Sequence, residues 1–584
     1  MVKAFLVAKN IADEQFNKAL AHLERLAQRF SLKLTTQDYY GFRLALVTSK
    51  TNRNEAMECQ GSFVLGRLAG HSYQWDRFLS VEISPEGVSL ENDYAGAVAT
   101  FYSERDGLLI SNIEPCVVKG SSSTLNDLHS EGLYGFMHYS HLIWEETAWR
   151  HIKQILPDTR VHFSNNGKLT SIRCLNSVCV TQDRHAYSDA AVARDLYLLN
   201  QELVTRSLSD ADEIILPLSS GYDSRMIFAV LATNDSLRRK TRCFTYGSKG
   251  SIEVEAGRRL AGRYNVSWAH VELPCKFLER RYLEDIASIF GASVHMHGMY
   301  QLEFFEQIKD RFGLSPNAVL TSGFMTGVPA GQHNRLLAIE DDKASLTGAM
   351  NKFAQSKFWS EEDLENIPIF SGKGYINAAE KRFRAAFNRL EGGVAQKAIL
   401  FDVITRQRNF ISYYPRTLEW LCAVSSPHMN AEYINFFMSL DEKHLIDRRA
   451  VELMFQYHYP DIAKVPSNSN GISSIGSSFE NGMLFIARAL RRFKMSALLP
   501  QRYQLSDFEF NLNAVKKCGD HSFYPFFSAN SNVDEFAELL GGGEVLKSMR
   551  NRAFDGDLKA YARFLTIQSV AMDLVSMIER RGNL

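Results

Sequence analysis

Proline is scarce in this chain, with 14 residues among 584, about half of the ~5% usual in proteins. So few prolines argue against a long proline-rich linker or a disordered tail. An excess of one charge is missing as well: 66 basic residues balance 66 acidic ones. A phosphate-backbone partner is usually met by a basic excess, so no nucleic acid partner is expected. The eight cysteines (Cys59, Cys116, Cys174, Cys179, Cys243, Cys275, Cys422, Cys518) contain no C-x-x-C pair. That number in so long a chain is no disulfide framework and suits a reducing, cytoplasmic setting. No segment reaches the ~18 apolar residues of a membrane span. The opening apolar patch, Ala4 to Ala8, is shorter than a secretory signal requires. Core-forming residues, by contrast, are plentiful: 38 Phe, 23 Tyr and 6 Trp within a 45% hydrophobic composition. Length alone suggests two to four domains at roughly 150 residues each.

The first ~180 residues read as strands and tight turns. GSFVLGRLAG, FLSVEISPEGVSLEND and GAVATFYSERDGLLISN carry short apolar runs broken by Gly, Pro, Asn and Asp, the pattern of an antiparallel sheet with hairpins. Helical periodicity enters at Asn10 to Phe30, at Thr147 to Ile155 and at Ala186 to Ser207. A boundary near residue 185 therefore separates an N-terminal region, 1–185, from a second one, 186–584. In the second, strand and helix alternate: EIILPL (Glu213 to Leu218), RMIFAVLAT, RCFTYG (Arg242 to Gly247), a helix through Glu253 to Tyr264, and WAHVEL (Trp268 to Leu273). This order predicts an α/β fold with a parallel sheet covered on both faces. AVLTSG (Ala318 to Gly323) reads as a later strand of that sheet, and from about 340 the pattern is helical.

The stretch richest in chemistry is Leu216-Pro-Leu-Ser-Ser-Gly-Tyr-Asp-Ser224. An apolar strand runs into a loop of small residues and then directly into a helix. The outward amides and dipole at a helix N-terminus favour an anion. Ser219, Ser220 and Ser224 add hydroxyl donors, and Gly221 permits close approach of the backbone. Asp223 suits a magnesium ion bridging phosphates better than the phosphates themselves. The spacing describes a pyrophosphate cradle without the Gly-Lys-Ser/Thr ending of a Walker loop. A plain serine-rich N-cap with Asp in the first turn is the structural alternative.

PLSSGYDSR resembles the S-G-G-x-D-S loop of the ATP-pyrophosphatase (PP-loop) enzymes. It is most similar to the asparagine-synthetase branch, with its β-lactam synthetase and lasso-peptide cyclase relatives. CFTYGSKGSIEVEAGRRLAGRYNVSWAHVEL looks like the family's next segment, placing Glu253 on an acidic, metal-facing position and Thr245, Tyr246 and Gly247 near an adenine. LTSGFMTG resembles the second loop, with Ser322 and Gly323 at the nucleotide. RQRNFI, SSPHMNAEYINFFMSL and YPDIAKVP look like the helical tail, where Lys464, with Arg406 and Arg408 as alternatives, falls near the family's second-half-reaction lysine. NDYAGAVATFYSERDGLLIS and TAWRHIKQILPDTRVHF resemble the glutaminase-type (Ntn) α+β domain that precedes this module. The resemblance implies ATP bound by Leu218, Ser219, Ser220, Gly221, Tyr222, Asp223 and Ser224, and Mg2+ held by Asp223 and Glu253. It also implies a small-molecule, peptide or glycan carboxylate joined to ammonia or an amine, and it is compatible with a homodimer.

Three departures qualify what is implied. Val2 stands where glutamine-using members have their nucleophilic cysteine, and a side chain without a thiol cannot attack an amide. The acid of the second loop is absent around Phe324, Gly327 and Val328. The tail matches loosely. A non-catalytic descendant that binds a nucleotide or partner is the alternative these losses support. His138/His141 and His295/His297 lack a third ligand and read as structural; ARALRRFK (Ala487 to Lys494) reads as a solvated basic face, and INFFMSL as core.

Overall fold

The computed structural model describes residues 2–49, 61–66, 77–139, 141–180, 187–247, 249–271, 280–293, 301–315, 317–332, 359–465 and 543–554, with a few single positions between 482 and 490. Two separate sheets organise them. Residue 185, the expected boundary, and most of ARALRRFK, like His295 and His297, lie outside the described residues.

The first sheet has eleven strands among the described residues. They are β1 (Val2–Lys9), β2 (Lys33–Tyr39), β3 (Phe42–Thr48), β4 (Ser62–Gly66), β5 (Phe78–Ser84), β6 (Gly87–Asn92), β7 (Phe101–Ser103), β8 (Leu108–Ser111), β9 (Lys153–Gln154), β10 (Thr159–Ser164) and β11 (Leu169–Cys174). The order β11-β10-β6-β5-β4-β1-β8-β7-β9 branches at β1, which also pairs with β3, and β3 with β2. All pairings are antiparallel except the single bridge between Val2 and Leu65. Alternation sets the faces: Leu79, Val81 and Ile83 of β5 point inward between half-buried or exposed neighbours, as a sheet with one covered face requires. Strand β1 is buried continuously from Ala4 to Ala8 because both its faces are covered. Phe5 and Val7 join one core, while Ala4, Leu6 and Ala8 pack under helices α1 (Asp13–Arg29) and α2 (Glu114–Gly120). A third helix, α3 (Ser130–Tyr139), is also buried against that second core.

The expected helix over Thr147 to Ile155 does not form. Thr147 Oγ1 donates within the segment, to the carbonyls of Trp149 (3.1 Å) and Ile152 (2.9 Å), and accepts from the Trp149 amide. Trp149 bridges to Leu128, and the segment ends in β9. A threonine side chain competing for backbone groups has displaced the helical ladder.

Helix α4 (Asp189–Leu208), capped by Ser188 whose side chain accepts from Ala191 N, leads into the second sheet. Its strands are β12 (Glu213–Pro217), β13 (Thr241–Tyr246), β14 (Ser267–Val271), β15 (Ala318–Thr321) and β16 (Ala423–Ser425), all parallel, in the order β14-β13-β12-β15-β16. Ile214 and Leu216 of β12 face the core built with α4 and with α5 (Tyr222–Thr233). Ile215 faces the opposite core with Phe305 and Ile308 of α8 (Gln301–Phe312). Each such fully buried side chain contributes roughly 1.5–3 kcal/mol. Helix α5 is apolar nearly all round because it is buried nearly all round. It stops at Asn234, whose side chain caps the next helix, α6 (Asp235–Lys240), by accepting from Ser236 N and Leu237 N. Among the described residues from 359 onward the chain is mainly helical, except for β16.

The first-sheet region contacts the second sheet through the half-buried Lys3 and the buried Arg77, which reach β16 and its approach. Lys3 Nζ donates to the Cys422 carbonyl (3.0 Å) and Arg77 to the Val424 carbonyl (2.9 Å). Among the described residues, no helix is long and apolar enough to cross a membrane.

Candidate functional site

Strand β12 is central, and the chain leaves it toward β13 and β14 on one side before returning to β15 and β16 on the other. The strand order thus reverses between β12 and β15, and ligands of open parallel sheets bind at such a switch point, outside the carboxyl ends. Both sequence-expected loops are there, because β12 and β15 pair in parallel. The loops touch: a Cβ built on Gly323 would lie 3.0 Å from Asp223 Cβ and 3.2 Å from Ser224 N. Glycine is what lets the second loop approach the first turn of α5 so closely.

The first loop is internally braced. Ser219 Oγ accepts from Gly221 N (3.0 Å) and pairs with Ser224 Oγ (2.9 Å), which also accepts from Ser219 N (3.0 Å). Glu253, in the first turn of α7 (Ile252–Arg263), accepts from Ser220 N (2.5 Å) and Ser220 Oγ (2.8 Å). Leu218 N donates to the Phe244 carbonyl. Thr245 Oγ1 donates to the Leu218 carbonyl (2.7 Å) while accepting from Trp268 Nε1 (2.9 Å). From beneath, the fully buried Arg225 donates to three carbonyls: Ser220 (2.7 Å), Val465 (2.6 Å) and Ile462 (3.3 Å). Burial pushes its pKa down to about 10, which leaves it a cation at neutral pH under a loop already favourable to anions through the α5 dipole.

The second loop is anchored by Ser322 N donating to the Ser425 carbonyl (2.8 Å). A Cβ on Gly327 would lie 2.8 Å from Asp223 Oδ1 and 2.2 Å from Gln332 Oε1. Gln332 therefore shares the space beside Asp223. Nothing at position 332 marked it, because its relation to Asp223 is created by the turn between them. Tyr433 is buried, and burial together with the Asp223 charge pushes its pKa well above 10. Tyr222 OH donates to Glu452 Oε1 (2.8 Å), and the Arg448 guanidinium sits 4.5 Å over the Tyr222 ring.

The remaining sequence candidates distribute around this centre. Tyr246 ends β13, and Gly247 N donates to the Val271 carbonyl (3.2 Å) while His270 Nε2 donates to the Gly247 carbonyl (2.6 Å). Lys464 is exposed and pairs with Asp461 (3.0 Å), next to the Val465 carbonyl that Arg225 holds. Arg406 lies in a π-helical run, Val403–Ile411, over the Phe410 ring and near enough to His141 that its charge helps lower the pKa of that imidazole. Arg408, on the same run, is buried and donates to the Ile155 carbonyl. His138 and His141 bond to the carbonyls of Trp359 and Tyr139, and no group of three metal-ligating side chains occurs among the described residues.

No family model matches the chain, and no curated protein matches its sequence. Among solved structures, the NH3-dependent NAD synthetase from Campylobacter jejuni subsp. jejuni NCTC 11168, in complex with the nitrate ion, aligns with 37% of this chain and 94% of its own at 12% identity and a TM-score of 0.18.

Proposed function

We propose that the chain is an ATP-dependent ligase of the PP-loop type, akin to asparagine synthetases, with a degenerate glutaminase-like region at 1–185 and the synthetase region at 186–584. A substrate carboxylate oxygen attacks the α-phosphorus of ATP. The bond to the β-phosphate oxygen breaks, giving an acyl-adenylate and pyrophosphate. Ammonia or an amine then attacks the acyl carbon, AMP leaves, and an amide forms. The observation that carries this reading is the meeting of the Ser219–Ser224 loop and the Ser322–Gly327 loop around Asp223 at the sheet's switch point.

The side chains fit the parts they would play. The α5 N-terminus and the buried Arg225 supply positive potential for a departing pyrophosphate. Magnesium binds through one or two carboxylates plus substrate phosphates rather than an all-protein cage. Asp223 and Glu253 suit that pattern, and each Glu253 oxygen keeps a lone pair beyond its bond to Ser220. The bound metal would neutralise charge on the leaving group. Thr245, Tyr246 and Gly247, at the neighbouring strand end, are proposed to line the adenine. Lys464 and Arg406 are proposed for the second half-reaction.

One observation favours a second reading, in which the chain binds a nucleotide without turning it over. The amides of Ser219, Ser220 and Gly221 are all committed to acceptors inside the protein, so a ligand must exchange those bonds. Pyrophosphate release from ATP with pooled carboxylates and ammonia separates the two. Release that depends on a carboxylate supports the ligase. Saturable ATP binding with no release from any mixture supports the binding module.

A further inference from the structure

Behind the second loop runs a chain of buried polar groups that none of the ligand-facing roles uses. Thr326 Oγ1 lies 2.6 Å from His428 Nδ1, and His428 Nε2 lies 2.8 Å from Asn200 Oδ1. Asn200 Nδ2 donates to the Met226 carbonyl (3.1 Å), and Tyr433 OH donates to the Thr326 carbonyl (2.8 Å). Thr326, His428 and Asn200 are all buried.

The proton positions follow from donor and acceptor inventory. A carbonyl only accepts, so the Met226 contact fixes the Asn200 amide with its nitrogen toward α5 and its oxygen toward His428. That oxygen requires a donor, so His428 carries its proton on Nε2. Nδ1 is then an acceptor, and the Thr326 hydroxyl donates to it. Each link has one permitted direction. Burial keeps the ring neutral, with its pKa pushed down to about 3.

The two ends of this chain are what give it meaning. Met226 lies on α5 within one turn of Asp223. Thr326 immediately precedes Gly327, the residue against Asp223 Oδ1. We propose that Thr326, His428 and Asn200 form a positioning relay that fixes the second loop against α5 and so orients Asp223 toward its ligand. The inference rests on the ligase reading for its consequence in turnover, but the relay itself is a property of the protein without ligand.

The test uses the full chain and two substitutions at one position. Thr326→Val keeps the shape and removes the donor; Thr326→Ser keeps the donor. Amide hydrogen exchange of residues 322–327, measured without ATP, should quicken roughly tenfold or more in Thr326→Val and stay within about twofold of wild type in Thr326→Ser. Pyrophosphate release should lose roughly tenfold in kcat with KM for ATP nearly unchanged in the valine variant, and recover in the serine one. His428→Asn, whose shorter side chain reaches Thr326 but not Asn200, should match Thr326→Val in exchange. Unchanged exchange in Thr326→Val, or equal damage from serine and valine, overturns the relay. Faster exchange with normal kcat overturns its positioning role. A wild type that releases no pyrophosphate overturns the ligase reading instead, while the exchange comparison still decides the relay.

Discussion

Glu253 accepts both the backbone amide and the hydroxyl of Ser220, at 2.5 and 2.8 Å. A carboxylate from the first turn of one helix thereby holds the loop that opens another, and the ends of the neighbouring parallel strands β12 and β13 are tied together beside the switch point. The same carboxylate is proposed to share a magnesium ion with Asp223, so its two roles can be separated by supplying or withholding the metal.

In Glu253→Gln the amide can still accept from Ser220 but is a poor ligand for a hard cation. ATP affinity in the presence of magnesium should fall about tenfold, corresponding to ~1.4 kcal/mol. With a chelator in place of magnesium, affinity should hold or improve, because a negative charge facing the phosphates is gone. Calorimetric titration under both conditions checks this, and equal losses in both would assign Glu253 to loop structure alone.

Arg225 donates to three carbonyls from a fully buried position. Arg225→Met removes that donor from all three; the Ile462 carbonyl still accepts from Val465 N (3.2 Å), but the Ser220 and Val465 carbonyls lose it, and buried acceptors left unmet cost ~1–3 kcal/mol each. We expect the urea midpoint to drop by the equivalent of roughly 3 kcal/mol or more, with Arg225→Lys recovering only part because an ammonium lacks the planar fork.

The locally encoded parts of this arrangement were legible in the sequence. Strand β12, the loop and α5 could be read because an apolar run, a glycine-serine break and a second apolar run are consecutive in the chain. Strand β16 was not legible: three residues, Ala423–Ser425, are too few for a period-2 signal, and only pairing with β15 makes them a strand. The segment over 147–155 has helical spacing, yet the Thr147 hydroxyl bonds to the carbonyls of Trp149 and Ile152 instead. Asn200 and His428 stand 228 positions apart in the chain, so neither advertises the other. Gln332 and Arg225 were passed over for the same reason, since their importance lies in partners supplied by folding.

Gly323 is packed on the first turn of α5, and a side chain there meets the Asp223 Cβ and the adjoining backbone rather than the far end of a flexible side chain. Gly323→Ala should therefore push the loops apart by a few tenths of an ångström. The expected result is a modest stability loss, about 1–3 kcal/mol as in other overpacked sites, with a larger proportional loss of ATP affinity. Calorimetry and urea unfolding on the one variant measure both.

His141 and His428 are buried and neutral. Burial, and for His141 also the Arg406 charge, lowers its pKa to about 4, and burial alone lowers that of His428 to about 3. An unfolded histidine titrates near 6.5, so below that pH the unfolded chain binds protons that the folded one refuses. Their contribution is complete above pH 6.5 and is lost as pH falls toward 4, on the order of 3 kcal/mol per histidine. Urea unfolding at pH 7.5 and pH 5 should show the decline, and His428→Asn should flatten part of it.

Asp223 decides the central claim. Asp223→Asn keeps the size of the side chain and removes the charge that would hold magnesium on the leaving pyrophosphate. An interaction worth ~3 kcal/mol in the transition state corresponds to roughly a hundredfold in rate. Its charge at the start of α5 contributes only ~0.5 kcal/mol to the helix. The decisive measurement is carboxylate-dependent pyrophosphate release from ATP by wild type and Asp223→Asn, with the melting temperature of each recorded. A loss of a hundredfold or more in turnover with a nearly unchanged melting temperature is the predicted result. Near-normal release, with only a lower melting temperature, would contradict it and leave Asp223 as a first-turn acid that merely favours the helix.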